Sequence, residues 1–245
     1  MNTQMKNEKL SKLWIRSVGI LGLAFLPFLT SCLDDEDHAV DPTPVAYVSF
    51  YHGSPATPGL SIEVDHTLYN SNSFDYSTYF DYYKFRTGKR NFSFKSANAA
   101  NSLLDTAVTF EPDKTYSFFM SDDDESFLPV IVEDELETPA AGKAMIRLVH
   151  LSPDTPEVSL QLGGEETELF KNQNFREVSD FVEIEAERAD FNLKTSVNGE
   201  TVVNAEGINI REGRIYTLVV RGYVESPSNN AHDLSLQLIR NYPNY

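Results

Sequence analysis

Three groups of residues in this 245-residue chain have side chains and spacings that chemistry uses. His52 and His150 each precede a Ser-Pro pair, Ser54-Pro55 and Ser152-Pro153. An imidazole beside a hydroxyl is the raw material of a general base or a metal ligand. Both histidines, however, end the same strand in two copies of one pattern, and no second histidine recurs with either. That recurrence suits a requirement of the fold, with the ring bonded to nearby backbone or to the Ser-Pro turn. Asp122, Asp123, Asp124 and Glu125 form a carboxylate run of the kind hard cations want. The run lacks the glycine and the spaced later glutamate of an EF-hand loop. The corresponding stretch Glu225 to Asn230 has one carboxylate, so a solvated loop is the better reading and calcium the weaker one. There is no Gly-x-Ser-x-Gly elbow and no His-Glu-x-x-His. The expectation is a non-catalytic protein without a cofactor.

The third group is aromatic. Tyr69, Tyr76, Tyr79, Tyr82 and Tyr83 crowd together with Phe74, Phe80 and Phe85. Read as a strand, Tyr79 to Phe85 puts Tyr79, Tyr83 and Phe85 on one face and Phe80 and Tyr82 on the other. One face belongs to a core. The other is either an exposed platform, with Tyr76, Tyr79, Tyr82 and Tyr83 as candidate binding residues, or a packing surface between domains. Exposure of Tyr79, Tyr82 and Tyr83 would favour binding, and their being covered by a second domain would favour a structural role.

The elements that must position these residues begin with an anchor. Lys6, Lys9, Lys12 and Arg16 precede an uncharged apolar run, Val18 to Leu29, too short to span a bilayer about 30 Å thick as a helix. A basic stretch followed by a short apolar run reads as a secretory signal. It ends in Leu29-Thr30-Ser31-Cys32, which resembles the bacterial lipobox, and Cys32 is the only cysteine in the chain. The resemblance implies cleavage before Cys32 and lipidation of its thiol, with several acyl chains each contributing about 0.8 kcal/mol per buried methylene. The acidic stretch Asp34 to Asp37 resembles the export signal of surface lipoproteins in Bacteroidota-type bacteria, against the plainer reading of a solvated tether. The expected location is the outer membrane, facing the cell exterior, with Cys32 as the membrane contact. Asp41-Pro42-Thr43-Pro44 continues the tether as a semi-rigid spacer.

The chain carries 20 basic and 37 acidic residues, a net charge of -17. Loss of residues 1–31 removes four basic residues and one acidic one and takes the balance to -20. Such a surface repels phosphate backbones and anionic headgroups, so nucleic acid is not an expected partner. Hydrophobic residues make up 41% of the chain, enough for real cores. With a single cysteine no intrachain disulfide is available, and stability has to come from packing.

An internal repeat organises the rest. Tyr47 to Pro58 matches Met145 to Pro156, with His, Ser, Pro, Thr and Pro coinciding at an offset of 98. Phe92-Ser93-Phe94-Lys95 answers Phe191-Asn192-Leu193-Lys194, and Thr115-Tyr116-Ser117 answers Ile215-Tyr216-Thr217. Leu60 to Val64, Phe181 to Ile184 and Phe191 to Val197 alternate apolar and polar, as half-buried strands do. Asn198-Gly199 is a strong two-residue hairpin signal. About seven short strands per unit predict an all-β chain of two tandem immunoglobulin-like β-sandwich domains. The expected boundaries are a signal over 1–31, a tether over 32–44, sandwiches over 45–137 and 143–245, and a linker over 138–142.

Ile146 to Leu160 resembles the opening of the DUF4397 domain, and Gly213 to Val220 resembles its ending. The first unit departs from that pattern, with Ser49 for Arg147, Ala56 for Asp154 and Asp113 for Gly213, and reads as a divergent copy. The resemblance, close over 143–245 and loose over 45–137, implies a sandwich fold and a surface location but no chemistry. The functional expectation is a binding or adhesion module for a glycan or protein, with a structural component of an envelope assembly as the alternative and a hydrolase a distant third. Asp105-Thr106-Ala107 resembles a Bacteroidota O-glycosylation site, although a strand-edge threonine explains it more simply.

Overall fold

The computed structural model describes residues 43–241 apart from 98, 124–125 and 227–231. The signal, Cys32, most of the tether, Asp124 and Glu125 lie outside the described residues. The first eight strands are β1 (Val45–His52), β2 (Leu60–Val64), β3 (Thr67–Leu68), β4 (Tyr79–Arg86), β5 (Gly88–Ser96), β6 (Ser102–Phe110), β7 (Thr115–Asp122) and β8 (Phe127–Glu133). The second eight are β9 (Lys143–His150), β10 (Val158–Leu162), β11 (Glu168–Gln173), β12 (Val182–Glu185), β13 (Arg188–Thr195), β14 (Thr201–Asn209), β15 (Ile215–Arg221) and β16 (Ser235–Arg240).

The strands form four sheets, ordered 4-1-7-8, 3-2-5-6, 12-9-15-16 and 11-10-13-14. The described residues are therefore all-β, two β-sandwiches with one strand order repeated, each of eight described strands where about seven were expected. In both, the opening strand lies between an antiparallel neighbour (β4 or β12) and a parallel one (β7 or β15). Local details repeat as well. The hydroxyl of Tyr116 accepts the Glu111 amide at 3.2 Å, and that of Tyr216 accepts the Arg211 amide at 3.2 Å. Asp113 stands where the second unit has Gly213, yet both are left-handed, at φ 60° and 72°. Aspartate tolerates that region, so this departure from the pattern leaves the backbone as it was. Asn198-Gly199 does join two strands, β13 and β14, but in a five-residue loop with only Gly199 left-handed.

Inside the first sandwich, Val48, Phe50, Ile62, Phe94 and Phe118 form a buried core; Ile146, Leu148, Leu160, Phe191 and Leu218 do so in the second. A third core lies between the sandwiches. Tyr51, Phe119, Val149, Leu151, Val219 and Ile239 meet there, on the opposite faces of the strands that feed the other two cores. Burial of each such side chain contributes roughly 1.5–3 kcal/mol. The described residues accordingly form one compact unit.

Polar groups cross the same seam. Arg147, 2% exposed, places Nη1 2.6 Å from Asp134 Oδ1. Its Nε donates to Thr217 Oγ1 at 2.9 Å, and its guanidinium lies 4.5 Å from the Phe181 ring centre and 5.4 Å from that of Phe119. Asp134 Oδ2 accepts from Tyr82 and Ser117, both at 2.6 Å. Burial, reinforced by the Asp134 carboxylate, holds the Tyr82 hydroxyl well above its ordinary pKa, so it stays a donor. It also accepts from Asn241 Nδ2 at 2.8 Å. Ser49, the first unit's counterpart of Arg147, bonds Ser117 at 2.9 Å and leaves the space the guanidinium fills.

A buried ion pair adds little net stability against an apolar replacement, but removal of one partner strands a charge and costs about 3–5 kcal/mol. Arg147→Met and Asp134→Asn should each lose about that much in urea denaturation. The double substitution should lose clearly less than the two singles added together. Single substitutions that stay within about 1 kcal/mol of the parent would contradict the seam described here.

Candidate functional site

The histidine motifs are knots in the fold. His52 and His150 are fully buried, and Nδ1 of each accepts an amide two residues on, from Ser54 or Ser152, at 3.3 Å. Ser54 Oγ bonds Thr57, whose hydroxyl donates to Asp122 Oδ2 at 2.8 Å at the end of β7. Ser152 Oγ donates to the Gly222 carbonyl at 2.6 Å beyond β15. Each motif thus ties the loop after an opening strand to the end of its parallel partner. Pro55 and Pro153 lie in the turns that follow. Burial lowers the His52 pKa to about 4, against the opposing pull of the Pro58 carbonyl, and lowers that of His150 as well. Neutral rings inside such loops do not face a substrate.

Of the acidic run, Asp122 is buried against Thr57, while Asp123 pairs with Arg176 of the second sandwich at 2.9 Å and accepts the Ser126 amide at 2.8 Å. Among the described residues no group of three or more His, Cys, Asp or Glu side chains is placed to hold a metal ion. Asp105 accepts from Ser102 at 2.6 Å, and Thr106 is half-buried on the edge strand β6.

The aromatic group is split by a bulge. Val48 and Phe50 of β1 pair with Tyr83 and Phe80 of β4, so three steps on β4 oppose two on β1. The extra residue shifts the alternation. Tyr79 and Tyr82 face the seam, and Phe80, Tyr83 and Phe85 face the other way. The expected sharing of one face by Tyr79 and Tyr83 is therefore corrected, because simple period-two reading cannot see the inserted residue. Tyr82 is 5% exposed and bonded to Asn241 of the second sandwich. Tyr79 packs in the third core, where burial raises its pKa. Tyr76 is covered by His232, at 4.6 Å between ring centres, and by Arg221. No broad aromatic platform survives.

Tyr83 is different, at 51% exposed. It stands edge-to-face against Tyr69, with 5.9 Å between centres and 89° between planes. Together with Asn70, Ser71, Asn72, Ser73 and Phe80 these rings line a groove of about 440 Å³. The loop beneath is stitched to β2. Asn70, buried, accepts the Ile62 amide at 2.7 Å and donates to the Leu60 and Asn72 carbonyls at 2.9 and 2.6 Å. Phe74 exchanges backbone bonds with Leu60 and stacks on Phe80 at 4.4 Å. Gly59 makes this approach possible, since a Cβ there would sit 1.8 Å from Ser73 Oγ. Sequence reasoning singled out Tyr83 but missed Asn70 and Asn72. The signal was present in Tyr69-Asn70-Ser71-Asn72-Ser73, an amide- and hydroxyl-rich stretch beside tyrosine.

Two further concave features lie elsewhere, one larger than the groove and one smaller. The outer face of the 3-2-5-6 sheet is a broad polar shelf of about 880 Å³ bearing the Lys95–Glu63 pair at 2.6 Å. A cleft of about 380 Å³ runs along the seam over Arg147 and Phe181, rimmed by Glu133, Glu135, Glu137 and Asp180.

Comparison with known families places a match on the first sandwich and its continuation. Residues 46–161 match the model of a domain of unknown function, DUF4397. The match runs from β1 through β10, so it rests chiefly on the unit that the sequence presents as the divergent one. A search of curated proteins finds no match. Solved structures similar to the chain include a streptococcal virulence factor that binds alpha-glucan, at 11% identity and a TM-score of 0.21, covering 65% of this chain and 86% of that one. Another is the family CBM26 module CBMbc of Amy13K from Eubacterium rectale, in complex with maltoheptaose, at 12% identity and a TM-score of 0.24, covering 81% and 98%. A leucine-rich repeat protein from Bacteroides thetaiotaomicron follows at 12% identity and a TM-score of 0.20, covering 76% and 27%. Likeness at that level has no bearing on ligand or mechanism.

The histidines make a pH prediction. Their folded pKa values lie below the unfolded value of about 6.5, so the unfolded chain binds more protons between pH 6.5 and 4. Stability should be full above pH 6.5 and fall as pH drops toward 4, by about 3 kcal/mol for His52. The lowered carboxylates Asp65 and Asp105 titrate below that window. Urea midpoints measured from pH 7 to 4 test this, and a flat profile would contradict it.

Proposed function

We propose that this protein is a lipid-anchored, non-catalytic binding module of the outer membrane, and that it recognises its ligand through the groove beside Tyr83. The observation that carries the binding role is the half-exposed Tyr83 ring, held in place by Tyr69 over a loop that Asn70 fixes to the sheet. Tyrosine gives large amphipathic contact area at low entropic cost, and a pre-positioned ring has little freedom left to lose on binding. The two sandwiches then act as one stiff spacer that holds the groove away from the membrane. The signal-like start and Cys32 support the anchor. A structural role in an envelope assembly is favoured by the covering of Tyr79 and Tyr82, and it predicts that nothing binds at Tyr83.

Tyr83→Ala, screened on glycan and protein arrays beside the parent, should lose the parent's ligand with its fold intact by circular dichroism. Retention of every parent signal would remove the groove from the reading. The anchor is checked separately. Mass spectrometry of native material should show a mature chain starting at Cys32 with acyl chains attached, and Cys32→Ser should release the protein from membranes. An unacylated thiol would exclude the anchor.

A further inference from the structure

The groove's chemistry narrows what it can hold. Resting on the binding role above, we infer that the groove beside Tyr83 takes a neutral saccharide, with a sugar ring on the Tyr83 face and its hydroxyls on Asn72 and Ser71.

None of the seven residues lining the groove carries a formal charge, in a chain whose net charge is -17. A charged ligand would bring its charge into a partly desolvated site without a counter-ion, which is costly. An anionic glycan would also meet the repulsive field of the whole molecule. Neutral donors and acceptors suit hydroxyl groups, each of which both donates and accepts. The groove offers such groups unspent. The side chains of Asn72 and Ser71 are exposed and make no hydrogen bond to a described residue. The Tyr69 hydroxyl is itself buried, so Tyr69 contributes its ring to the wall and not a hydrogen bond to the ligand. The remaining wall is aromatic. A pyranose presents an apolar C–H face to one side and hydroxyls around its rim, matching a phenol ring bordered by amide and hydroxyl groups. The groove's volume of about 440 Å³ lies within the range of small-ligand clefts, about 300–1,000 Å³.

The groove is also set before a ligand arrives. Phe80 is stacked on the fully buried Phe74, and Tyr69 is bonded through its amide to the Ile62 carbonyl at 2.7 Å. Asn70 spends its carboxamide on the backbone, so its neighbour Asn72 is presented from a fixed turn.

The test is titration calorimetry on the full chain with gluco-, manno- and galacto-configured neutral oligosaccharides and with the matching uronic-acid oligosaccharides. At least one neutral oligosaccharide should bind. Tyr83→Ala should weaken it about tenfold or more, while Tyr83→Phe, which keeps the stacking ring, should stay within about twofold. Asn72→Ala, which removes an exposed side chain bonded to no described residue and keeps the carbonyl that accepts from Asn70, should weaken it about threefold or more and serves as the second variant if Tyr83→Ala fails to fold. Raising the salt from about 50 to 500 mM should leave the affinity within about twofold, since no ion pair forms. Tyr83-dependent binding of only a uronic-acid oligosaccharide, or of only a protein from the arrays, would overturn the neutral saccharide and leave the groove's binding role standing. Neutral-sugar binding that ignores both Tyr83→Ala and Asn72→Ala would overturn the assignment to this groove. Binding of no ligand class at Tyr83 would sink the inference together with the role it rests on.

Discussion

One buried guanidinium constrains the whole body. Arg147 lies between the sandwiches with its charge met by Asp134 and its faces covered by Phe119 and Phe181. Taken out of water, that cation is tolerable only if the carboxylate opposite stays in place. Asp134 comes from the end of the first unit and Arg147 from the opening strand of the second, so the pair holds only when the two units are docked. Tyr82 and Ser117 donate to Asp134, Arg147 donates to Thr217 and Ser117, and Asn241 links Thr217 to Tyr82. The apolar contacts around Tyr51 and Val219 supply the driving force, and the polar network fixes the register in which they pack.

Much of this architecture was legible in the sequence. Period-two alternation found β2 at Leu60 to Val64, and the offset of 98 between His52 and His150 gave the repeated unit. The histidines, read as parts of the fold, sit buried inside their own Ser-Pro loops. Departures between the units were visible too, but not their meaning. Ser49 in place of Arg147 reads as divergence when each unit is considered alone. It is instead an asymmetry required by docking, because two near-equivalent strands face each other and the space between them admits one guanidinium. Asp134 against Asn241 is the same asymmetry at the ends of the last strands. The sequence admits a covered face, as at Tyr79 and Tyr82, but alternation within one domain does not fix how the other docks, and so it does not say which outward residues are covered.

The candidate site shows the same limit at smaller scale. Aromatic crowding over Tyr69 to Phe85 was plain, but a single bulged residue in β4 decided which rings reached solvent. Tyr79 and Tyr82 went to the seam and Tyr83 to the groove. The apparent wealth of tyrosines thus divides into rings that join the sandwiches and one ring left exposed. Asn70 was legible only in hindsight, since an asparagine that spends every polar atom on backbone looks the same in sequence as one that faces water. The seam and the groove lie apart, the one between the sandwiches and the other on the first sandwich beside Tyr83.

The most direct measurement of this account is the rotational tumbling of the two sandwiches, read by ¹⁵N relaxation on the protein in solution. Docking through Arg147 and Asp134 predicts one correlation time for amides of β1 to β8 and of β9 to β16, that of the whole body. Two shorter and different correlation times, one for each sandwich, would show that the units tumble separately and that the buried pair does not join them.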